Sequence, residues 1–253
     1  MARNNNTPEW RGQAVRWVAV LCLLAGCGGG DAEPKLRVFG AASLRDVVLK
    51  AAFEHGTPVS LSDGASGTLA RQIIAGAPAD LFLSTSPEWT AALERAGRID
   101  GAAVLLARNE LVIAVPKDAR VAGSTLAEFL AGAGRIAVAD ENAPAGRYTR
   151  QALNKLGAPP GLQLLGHDDV RGVLRAVQTG NAPAGFVYRS DVAAFADSVR
   201  VLFAIDANLH DPIEIHGAVV AGAGRAEAAR RMLAFLAGPR GRAVFELLGF
   251  RTP

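Results

Sequence analysis

The sequence predicts an α/β protein with two lobes and a cleft between two mixed, largely parallel sheets. From residue 36 onward, short β-type runs alternate with segments of helical periodicity, which is typical of α/β architecture. The turn Pro116-Lys117-Asp118 interrupts this alternation, and a second alternation follows it. A chain of 253 residues that is 50% hydrophobic can also bury the core of one large domain or of two lobes.

The first alternation predicts four strands and three helices. The strands are expected at residues 36–39, 59–62, 81–84 and 111–115. The helices are expected at residues 44–55, 68–75 and 87–96. Pro87 suits the first turn of the third helix, and Ser86 before it suits a cap.

The second alternation and the tail predict the remaining elements. Helices are expected at residues 125–130, 146–156, 170–179, 190–195, 226–237 and 239–248, and strands at residues 135–139, 163–165, 184–188, 199–203 and 214–220. If the tail returns to the first lobe, the chain crosses between lobes near Val115-Pro116 and again within residues 204–212, and two crossings make a hinge. The first lobe would then hold residues 36–115 and 210–253, and the second lobe residues 116–209.

The N-terminus has the features of a secretory signal. Arg3, Arg11 and Arg16 are followed by an apolar run over residues 17–25, which is too short to span a bilayer permanently. Leu24-Ala25-Gly26-Cys27 resembles the lipobox of bacterial lipoproteins, which implies a signal peptide at residues 1–26, a lipidated Cys27 and a tether at residues 27–35. The alternative is an ordinary signal peptide cleaved near Ala32. Both readings place the protein in the periplasm or on the cell-envelope exterior.

Export also limits the cysteines and the charge. Cys22 is removed under both readings, so the mature chain keeps one cysteine at most and forms no internal disulfide. Removal of residues 1–26 lowers the net charge from +3 to about +1. No polybasic face then argues for nucleic-acid binding.

Two strand-to-helix turns in the first lobe carry a serine each. Ser43 follows the run Val38-Phe39-Gly40-Ala41-Ala42, and Ser66 lies in the turn before the helix expected at residue 68. A serine at such a turn can cap the helix, and the free backbone N–H groups of the first helical turn favour an anion in front of them. The pair suggests one oxyanion held from two sides, although capping alone explains each serine singly.

The second lobe offers three more candidates. Ala145 follows Pro144, which has no N–H, and opens a helix with free first-turn amides. Val170 opens the next helix, with Asp168 or Asp169 as the expected cap. Tyr188 ends a strand and can place its phenol over the cleft, although ordinary packing explains most tyrosines placed this way.

Catalytic motifs do not account for the sequence. Residues 64–68 fail the G-x-S-x-G nucleophile pattern, and residues 222–227 fail the dinucleotide-binding fingerprint, each at the last position. The four histidines show no metal-ligand spacing, although a pair of His210 and His216 stays open. We therefore expect a binding protein without a cofactor rather than an enzyme.

Six motifs in register resemble the periplasmic molybdate-binding proteins of molybdate ABC transporters. They are Phe39-Gly40-Ala41-Ala42-Ser43-Leu44, Ala65-Ser66-Gly67-Thr68-Leu69-Ala70-Arg71-Gln72-Ile73, Ala75-Gly76-Ala77-Pro78-Ala79-Asp80-Leu81-Phe82, Pro144-Ala145-Gly146-Arg147-Tyr148, Asp169-Val170-Arg171-Gly172 and Gly185-Phe186-Val187-Tyr188. The resemblance covers residues 36–253. It implies a two-lobed class II (type II) periplasmic binding protein that binds tetrahedral molybdate or tungstate through its oxygens, with no bond from protein to metal.

Position by position, the family's oxyanion contacts fall on five residues of this chain. They are the hydroxyl and amide of Ser43 and of Ser66, the amides of Ala145 and Val170, and the hydroxyl of Tyr188. One departure from many family members is the short stretch between Leu156 and Asp169, which can shift Val170 relative to the other contacts. Arg71 and Arg171 are expected to pair with carboxylates or solvent rather than with the anion.

The resemblance further implies that a monomer delivers the anion to an inner-membrane ABC permease, while Cys27 tethers it to a membrane. Three alternatives stay open. They are a binding protein for another oxyanion such as sulfate, a lipoprotein hydrolase that uses Ser43 or Ser66, and an oxyanion-sensing domain of a transcription regulator. The export signal and the lack of a DNA-binding segment argue against the last of these.

Overall fold

The computed structural model describes residue 1 and residues 35–253. The predicted signal peptide beyond its first residue, the lipidation site Cys27 and the tether up to residue 34 lie outside the described residues. No helix among the described residues combines the length and the apolar character needed to cross a bilayer.

The strands of the described residues form two separate five-stranded sheets. The first sheet has the order β2-β1-β3-β10-β4 and the second has the order β7-β6-β8-β5-β9. The bounds of the strands are β1 Leu36–Ala41, β2 Val59–Gly64, β3 Leu81–Ser84, β4 Ile99–Arg108, β5 Leu111–Pro116, β6 Arg135–Ala139, β7 Gln163–His167, β8 Gly185–Tyr188, β9 Val199–Ala204 and β10 Glu214–Val220. We call the part of the chain built on each sheet the first lobe and the second lobe.

Each sheet mixes the two strand directions in the same way. In the first lobe β1 runs parallel to β2 and β3, whereas β10 runs antiparallel to β3 and β4. In the second lobe β6 runs parallel to β7 and β8, whereas β5 runs antiparallel to β8 and β9. The sheets contain more antiparallel strand pairs than the sequence indicated, because β10 and β5 each run antiparallel to both of their neighbours.

Nine α-helices among the described residues connect and cover the strands. Their bounds are α1 Arg45–His55, α2 Ser66–Ile74, α3 Pro87–Arg95, α4 Leu126–Gly132, α5 Pro144–Leu156, α6 Val170–Gln178, α7 Arg189–Ala194, α8 Ala226–Ala237 and α9 Pro239–Leu247. A short 3₁₀ turn, Ala42–Leu44, precedes α1. In α8 and α9 the apolar residues Met232, Leu233, Leu236 and Val244 are buried, whereas Leu247 is exposed.

The two lobes have separate hydrophobic cores. The second-lobe core includes the whole run from Leu111 to Val115, each residue of which is fully buried. Such a continuous apolar run is typical of a strand covered on both faces. The first-lobe core packs β1 and β3 against α1, α8 and α9, and a smaller cluster around Leu69, Ile73 and Phe82 lies on α2 and β3.

The first crossing between the sheets lies earlier than the sequence predicted. Residues 111–115 were assigned to the first lobe, with a crossing at Val115-Pro116, but β5 pairs with β8 and β9 in the second sheet. The turn at Pro116-Lys117-Asp118 therefore lies within the second lobe, and the chain crosses between Arg108 and Leu111. The chain returns between Ala204, where β9 ends, and Glu214, where β10 begins.

Strand β4 was absent from the sequence prediction. Its sequence contains Gly101 at a φ of 82° and several alanines, so its local preference for a strand is weak. It forms because it pairs with β10 over its length, with register shifts along the pair. Long-range pairing, which no local pattern reveals, therefore completes the first sheet.

Candidate anion-binding site

All five predicted ligand residues line one cavity between the two lobes. Ser43 and Ser66 come from the first lobe, and Ala145, Val170 and Tyr188 come from the second. Small residues such as Ala41, Ala42, Gly64, Ala65 and Ala143 form much of the remaining wall of the cavity. It lies where strands of both sheets end and helices begin, which is where open α/β sheets bind ligands.

Ser43 is not the helix cap that its position allowed. It lies in the 3₁₀ turn before α1, and neither end of that turn carries a side-chain cap. The side chain is buried, and its Oγ has no hydrogen-bond partner in the described chain. Leaving a buried hydroxyl unpaired costs on the order of 1–3 kcal/mol, so a missing partner is expected at this point.

Ser66 is also not a cap, because α2 begins at Ser66 itself and Ala65 occupies the N-cap position. Its Oγ accepts a hydrogen bond from the Thr85 amide at 3.3 Å and lies 3.5 Å from the Thr85 hydroxyl. The accepted bond occupies a lone pair of the serine oxygen, so its hydroxyl proton can be donated into the cavity. The Ser66 amide, in the first helical turn, lacks an intrahelical acceptor.

The second lobe presents two main-chain amides to the cavity. Helix α5 begins at Pro144, two residues earlier than predicted, which places the Ala145 amide in its first turn. Helix α6 begins at Val170, as predicted, and the Asp169 side chain caps it by accepting from the Gly172 amide at 2.9 Å. The Val170 amide is thereby left for the cavity.

Close packing fixes the start of α5. A Cβ added at Gly146 would lie 2.0 Å from the Asp140 carbonyl oxygen and 2.3 Å from the Ala139 carbonyl oxygen. Glycine at this position therefore lets the first turn of α5 press against the end of β6. The position of the Ala145 amide depends on that contact.

Tyr188 ends β8 and is 1% exposed. Its hydroxyl has no hydrogen-bond partner in the described chain, although Thr85 lies nearby. Burial raises the pKa of the Tyr188 phenol well above its usual range, so the group stays protonated and acts as a donor. Tyr148 differs, because its hydroxyl can donate to the carbonyl oxygens of Thr85 at 3.3 Å and of Pro212 at 3.4 Å.

The cavity combines neutral donors with the positive ends of helices. The N-termini of α2, α5 and α6 border it, and each carries a partial positive charge from the helix dipole. The single charged side chain among the described lining residues is Asp169, which caps α6. This arrangement can hold an anion that needs donors on every oxygen.

Thr85 is the lining residue that the sequence analysis missed. It is buried, it lines the cavity, its amide donates to Ser66 and its carbonyl oxygen accepts from Tyr148. Thr85 directly follows β3, and the rule that ligands lie outside the carboxyl ends of strands could have identified it.

The two arginines near the site make other contacts. Arg171 pairs with Asp46 at 2.6 Å and with Asp191 at 3.1 Å, as the sequence analysis expected. Arg71 lies 3.3 Å from the Thr68 hydroxyl and stacks over the Trp89 ring. In the described part of the chain, no group of three or more His, Cys, Asp or Glu side chains is placed to hold a metal ion.

The chain is similar to known bacterial binding proteins. Residues 36–251 match the family described as bacterial extracellular solute-binding protein. The chain is 38% identical to the molybdate-binding protein ModA of Escherichia coli over 231 residues, which cover 86% of this chain and 89% of that protein.

Two solved structures share the fold. The substrate-binding domain of a putative molybdenum ABC transporter from Clostridium difficile is 30% identical, with a TM-score of 0.65 over 87% of this chain and 99% of that one. The periplasmic molybdate-binding protein of Azotobacter vinelandii superposes with a TM-score of 0.77 over 87% of this chain and 100% of that one, at 22% identity. The chain belongs to the bacterial extracellular solute-binding proteins, in the group that includes the molybdate-binding protein of E. coli.

Proposed function

We propose that this protein is the extracytoplasmic binding component of a molybdate ABC importer, and that it also binds tungstate. One observation carries the proposal. Ser43 Oγ and the Tyr188 phenol are buried and find no hydrogen-bond partner among the described residues, and they line the same cavity as the first-turn amides of three helices. The similarity to molybdate-binding relatives supports the choice of anion.

The donors are sufficient in number to hold a dianion. Ser43 and Ser66 each offer a hydroxyl and an amide, and Ala145, Val170 and Tyr188 offer one group each. About seven charge-assisted hydrogen bonds at roughly 1.5–3 kcal/mol gross, less the costs of ordering and closure, can reach the roughly 8 kcal/mol of micromolar binding. No positively charged side chain is needed.

The same chemistry selects among anions. A cavity lined mainly by donors prefers a fully deprotonated oxyanion, because a protonated oxygen would need an acceptor. Phosphate, which carries a proton at neutral pH, is therefore disfavoured. Sulfate has the same charge as molybdate, so size must separate these two anions.

Binding draws the lobes together and sets up delivery of the anion. Contacts from both lobes to one anion stabilise the closed state, which then docks on an inner-membrane permease. We propose that the protein acts as a monomer in the periplasm or on the cell-envelope exterior, tethered to a membrane through Cys27. The family description, which is of extracellular proteins, supports the location.

The hydrolase alternative lacks a base. No histidine is among the described residues that line the cavity, and the Ser66 oxygen is held by Thr85. Activation of a serine nucleophile needs an adjacent general base. Covalent labelling of Ser43 or Ser66 by a fluorophosphonate would favour the hydrolase, and the absence of labelling is the result we expect.

Isothermal titration of the mature protein with molybdate, tungstate, sulfate and phosphate tests the proposal. We expect molybdate and tungstate to bind with a Kd of about 1 µM or tighter, and sulfate and phosphate to bind far more weakly. Heat from sulfate alone would show that the protein is a sulfate-binding relative. Heat from none of the four anions would overturn the proposal.

A further inference from the structure

Two arginines of the second lobe reach across the cleft to carboxylates of the first lobe. Arg171 Nη2 lies 2.6 Å from Asp46 Oδ2. Arg147 forms an ion pair with Glu88, and its other terminal nitrogen donates to Ser86 Oγ at 2.8 Å. The two contacts join α6 to α1 and α5 to α3, so each links one lobe to the other.

Both arginines follow closely the amides that line the cavity. Arg171 directly follows Val170, and Arg147 lies two residues after Ala145. Positive side chains near a helix N-terminus oppose the helix dipole, so their positions are not explained by the stability of α5 or α6. The carboxylates of Asp46 and Glu88, in contrast, lie in the first turns of α1 and α3, where the dipole favours them.

Arg171 is held in place by its own lobe. Its Nε lies 3.1 Å from Oδ1 of the buried Asp191, and its guanidinium stacks over the Phe195 ring at 5.1 Å. The other oxygen of Asp191 accepts from the Tyr188 amide at 3.2 Å. Arg147 stacks over the Tyr148 ring at 5.2 Å. These contacts lie within the second lobe, so they orient both side chains whether or not the lobes meet.

We propose that Arg147 and Arg171 are closing residues, which hold the two lobes together around the anion and thereby set its affinity and its rate of release. This inference rests on the function proposed above. The arginines bind the opposite lobe and not the anion, so they act only in the closed state. Each ion pair then adds its free energy to closure and slows reopening.

Repulsion between the carboxylates and the bound anion opposes the stabilisation of the closed state by the ion pairs. Asp46 and Glu88 are negative and lie near the site of a dianion, so their removal also relieves a repulsion and would tighten binding. The two effects therefore predict opposite signs for the same substitution. A loss of affinity on neutralising either carboxylate shows that the interlobe contact dominates.

The test compares the Asp46→Asn and Glu88→Gln variants with the wild-type mature protein. Molybdate affinity is measured by titration, and release is measured by stopped flow. We expect each variant to weaken binding by roughly two- to fivefold, mainly through faster release, as one partly exposed ion pair allows. Asp100→Asn is the matched control, because it breaks the Arg230–Asp100 pair within the first lobe and should leave affinity and release unchanged.

A double-mutant cycle separates the contact from long-range charge. If Arg147 and Glu88 act as a pair, Glu88→Gln weakens binding in the wild-type background but not in Arg147→Gln. Unchanged or tighter binding in both carboxylate variants, or equal effects of Glu88→Gln in the two backgrounds, would overturn the inference. The titration of the wild-type protein separates the two proposals. If the wild type does not bind molybdate, the proposed transport function is refuted. If the wild type binds molybdate and the carboxylate variants bind it equally well, only the closing role of the arginines is refuted.

Discussion

The two lobes bring different chemical groups to the same cavity. The first lobe offers serine and threonine side chains, with Ser43, Ser66 and Thr85 all buried at the wall. The second lobe offers the main-chain amides of Ala145 and Val170 and the phenol hydroxyl of Tyr188. The hydroxyl donors of the first lobe can therefore be removed by substitution, whereas the main-chain amides of either lobe can only be displaced.

This difference shows which feature of the sequence each lobe relies on. A side-chain donor needs the right residue at one position. A main-chain donor needs the helix to begin at the right residue and to sit close to its sheet, as Gly146 allows α5 to do. The second lobe should consequently be more sensitive to packing changes, and the first lobe to loss of single hydroxyls.

The largest effect is expected from Gly146→Ala. The new methyl group would overlap the carbonyl oxygens of Ala139 and Asp140, so α5 must move away from β6. We expect a loss of unfolding free energy of about 3 kcal/mol and a loss of molybdate binding of at least about a hundredfold. Thermal unfolding and titration measure both.

Gly132→Ala is the matched control for that substitution. Gly132 ends α4 in the same lobe, and a Cβ there meets nothing within 4 Å. The control should keep wild-type stability and affinity. Wild-type binding in Gly146→Ala would show that the second-lobe donors do not depend on the close packing of α5 against β6.

The next largest effect is expected from the two first-lobe serines. Ser43→Ala and Ser66→Ala should each weaken molybdate binding by at least about tenfold, because each removes a hydrogen bond to a charged ligand. Their effects on the free protein should differ. Ser43→Ala removes a buried hydroxyl that has no partner in the described chain, so it should not lower stability and should relieve the cost of the unpaired group. Ser66→Ala leaves the Thr85 amide without its acceptor and should cost about 1 kcal/mol.

Ser62→Ala is the matched control, because it removes a serine hydroxyl from an exposed position on the nearby strand β2. It should match the wild type in affinity and in melting temperature. Wild-type affinity in both Ser43→Ala and Ser66→Ala would remove the site assignment.

A comparison of Tyr188→Phe with Tyr148→Phe tests whether Tyr188 is the second-lobe side chain that binds the anion. Tyr188→Phe removes a buried donor that has no partner in the described chain, so it should weaken binding by about tenfold with no loss of stability. Tyr148→Phe removes a hydroxyl placed to bond main-chain carbonyls, so its effect on affinity should be smaller. Equal effects of the two substitutions would contradict the assignment of Tyr188 as a ligand.

The smallest effect concerns two buried aspartates, one in each lobe. Burial raises the pKa of Asp191 from 3.8 to about 6, and Arg171 offsets only part of this. For Asp80, burial also acts to raise the pKa, but hydrogen bonds from Arg37 outweigh it and hold the pKa below its usual range. The surroundings in the second lobe thus disfavour the ionised form of Asp191, whereas those in the first lobe stabilise the ionised form of Asp80.

The signs of the pH effects are opposite. With a raised folded-state pKa, the contribution of Asp191 to stability is fully present below its unfolded pKa and is lost as pH rises through about 6. With a lowered pKa, the contribution of Asp80 is present above its unfolded pKa and is lost as pH falls through the folded one.

Thermal unfolding at about pH 4 and about pH 7 should show the Asp191 effect, and thermal unfolding at about pH 4 and at more acid pH should show the Asp80 effect, each on the order of 1 kcal/mol. Relative to Asp191→Asn the wild type should lose stability as the pH rises, and relative to Asp80→Asn it should gain stability. A difference between wild type and Asp191→Asn that does not change with pH would show that Asp191 is not perturbed.

Local patterns predicted most elements but not how the strands pair. The bounds of β3, β6, β10 and α8 agree with the sequence prediction because each is a well-marked apolar or amphipathic run. Strand β4 was missed, and β5 was assigned to the first lobe, because both depend on long-range pairing. A turn signal such as Pro116 marks the end of a strand and does not say which sheet the strand joins.

The site was easier to predict than the contacts around it. The five candidates were visible because small residues and hydroxyls at strand-to-helix turns are local features. That Ser43 and Ser66 are not caps could not be read from the sequence, because capping depends on where each helix begins. The ties of Arg147 to Glu88 and of Arg171 to Asp46 join residues 59 and 125 positions apart, so they also required the fold.

The central claim is that uncharged hydroxyls and main-chain amides from both lobes hold one dianion. A crystal of the mature protein grown with tungstate tests it most directly, because tungsten scatters anomalously and marks its own position. We expect one strong peak between Ser43, Ser66 and Tyr188, with oxygens about 2.6–3.2 Å from the hydroxyls and from the amides of Ala145 and Val170. A peak elsewhere, or tungsten bound directly to a protein side chain, would contradict the account.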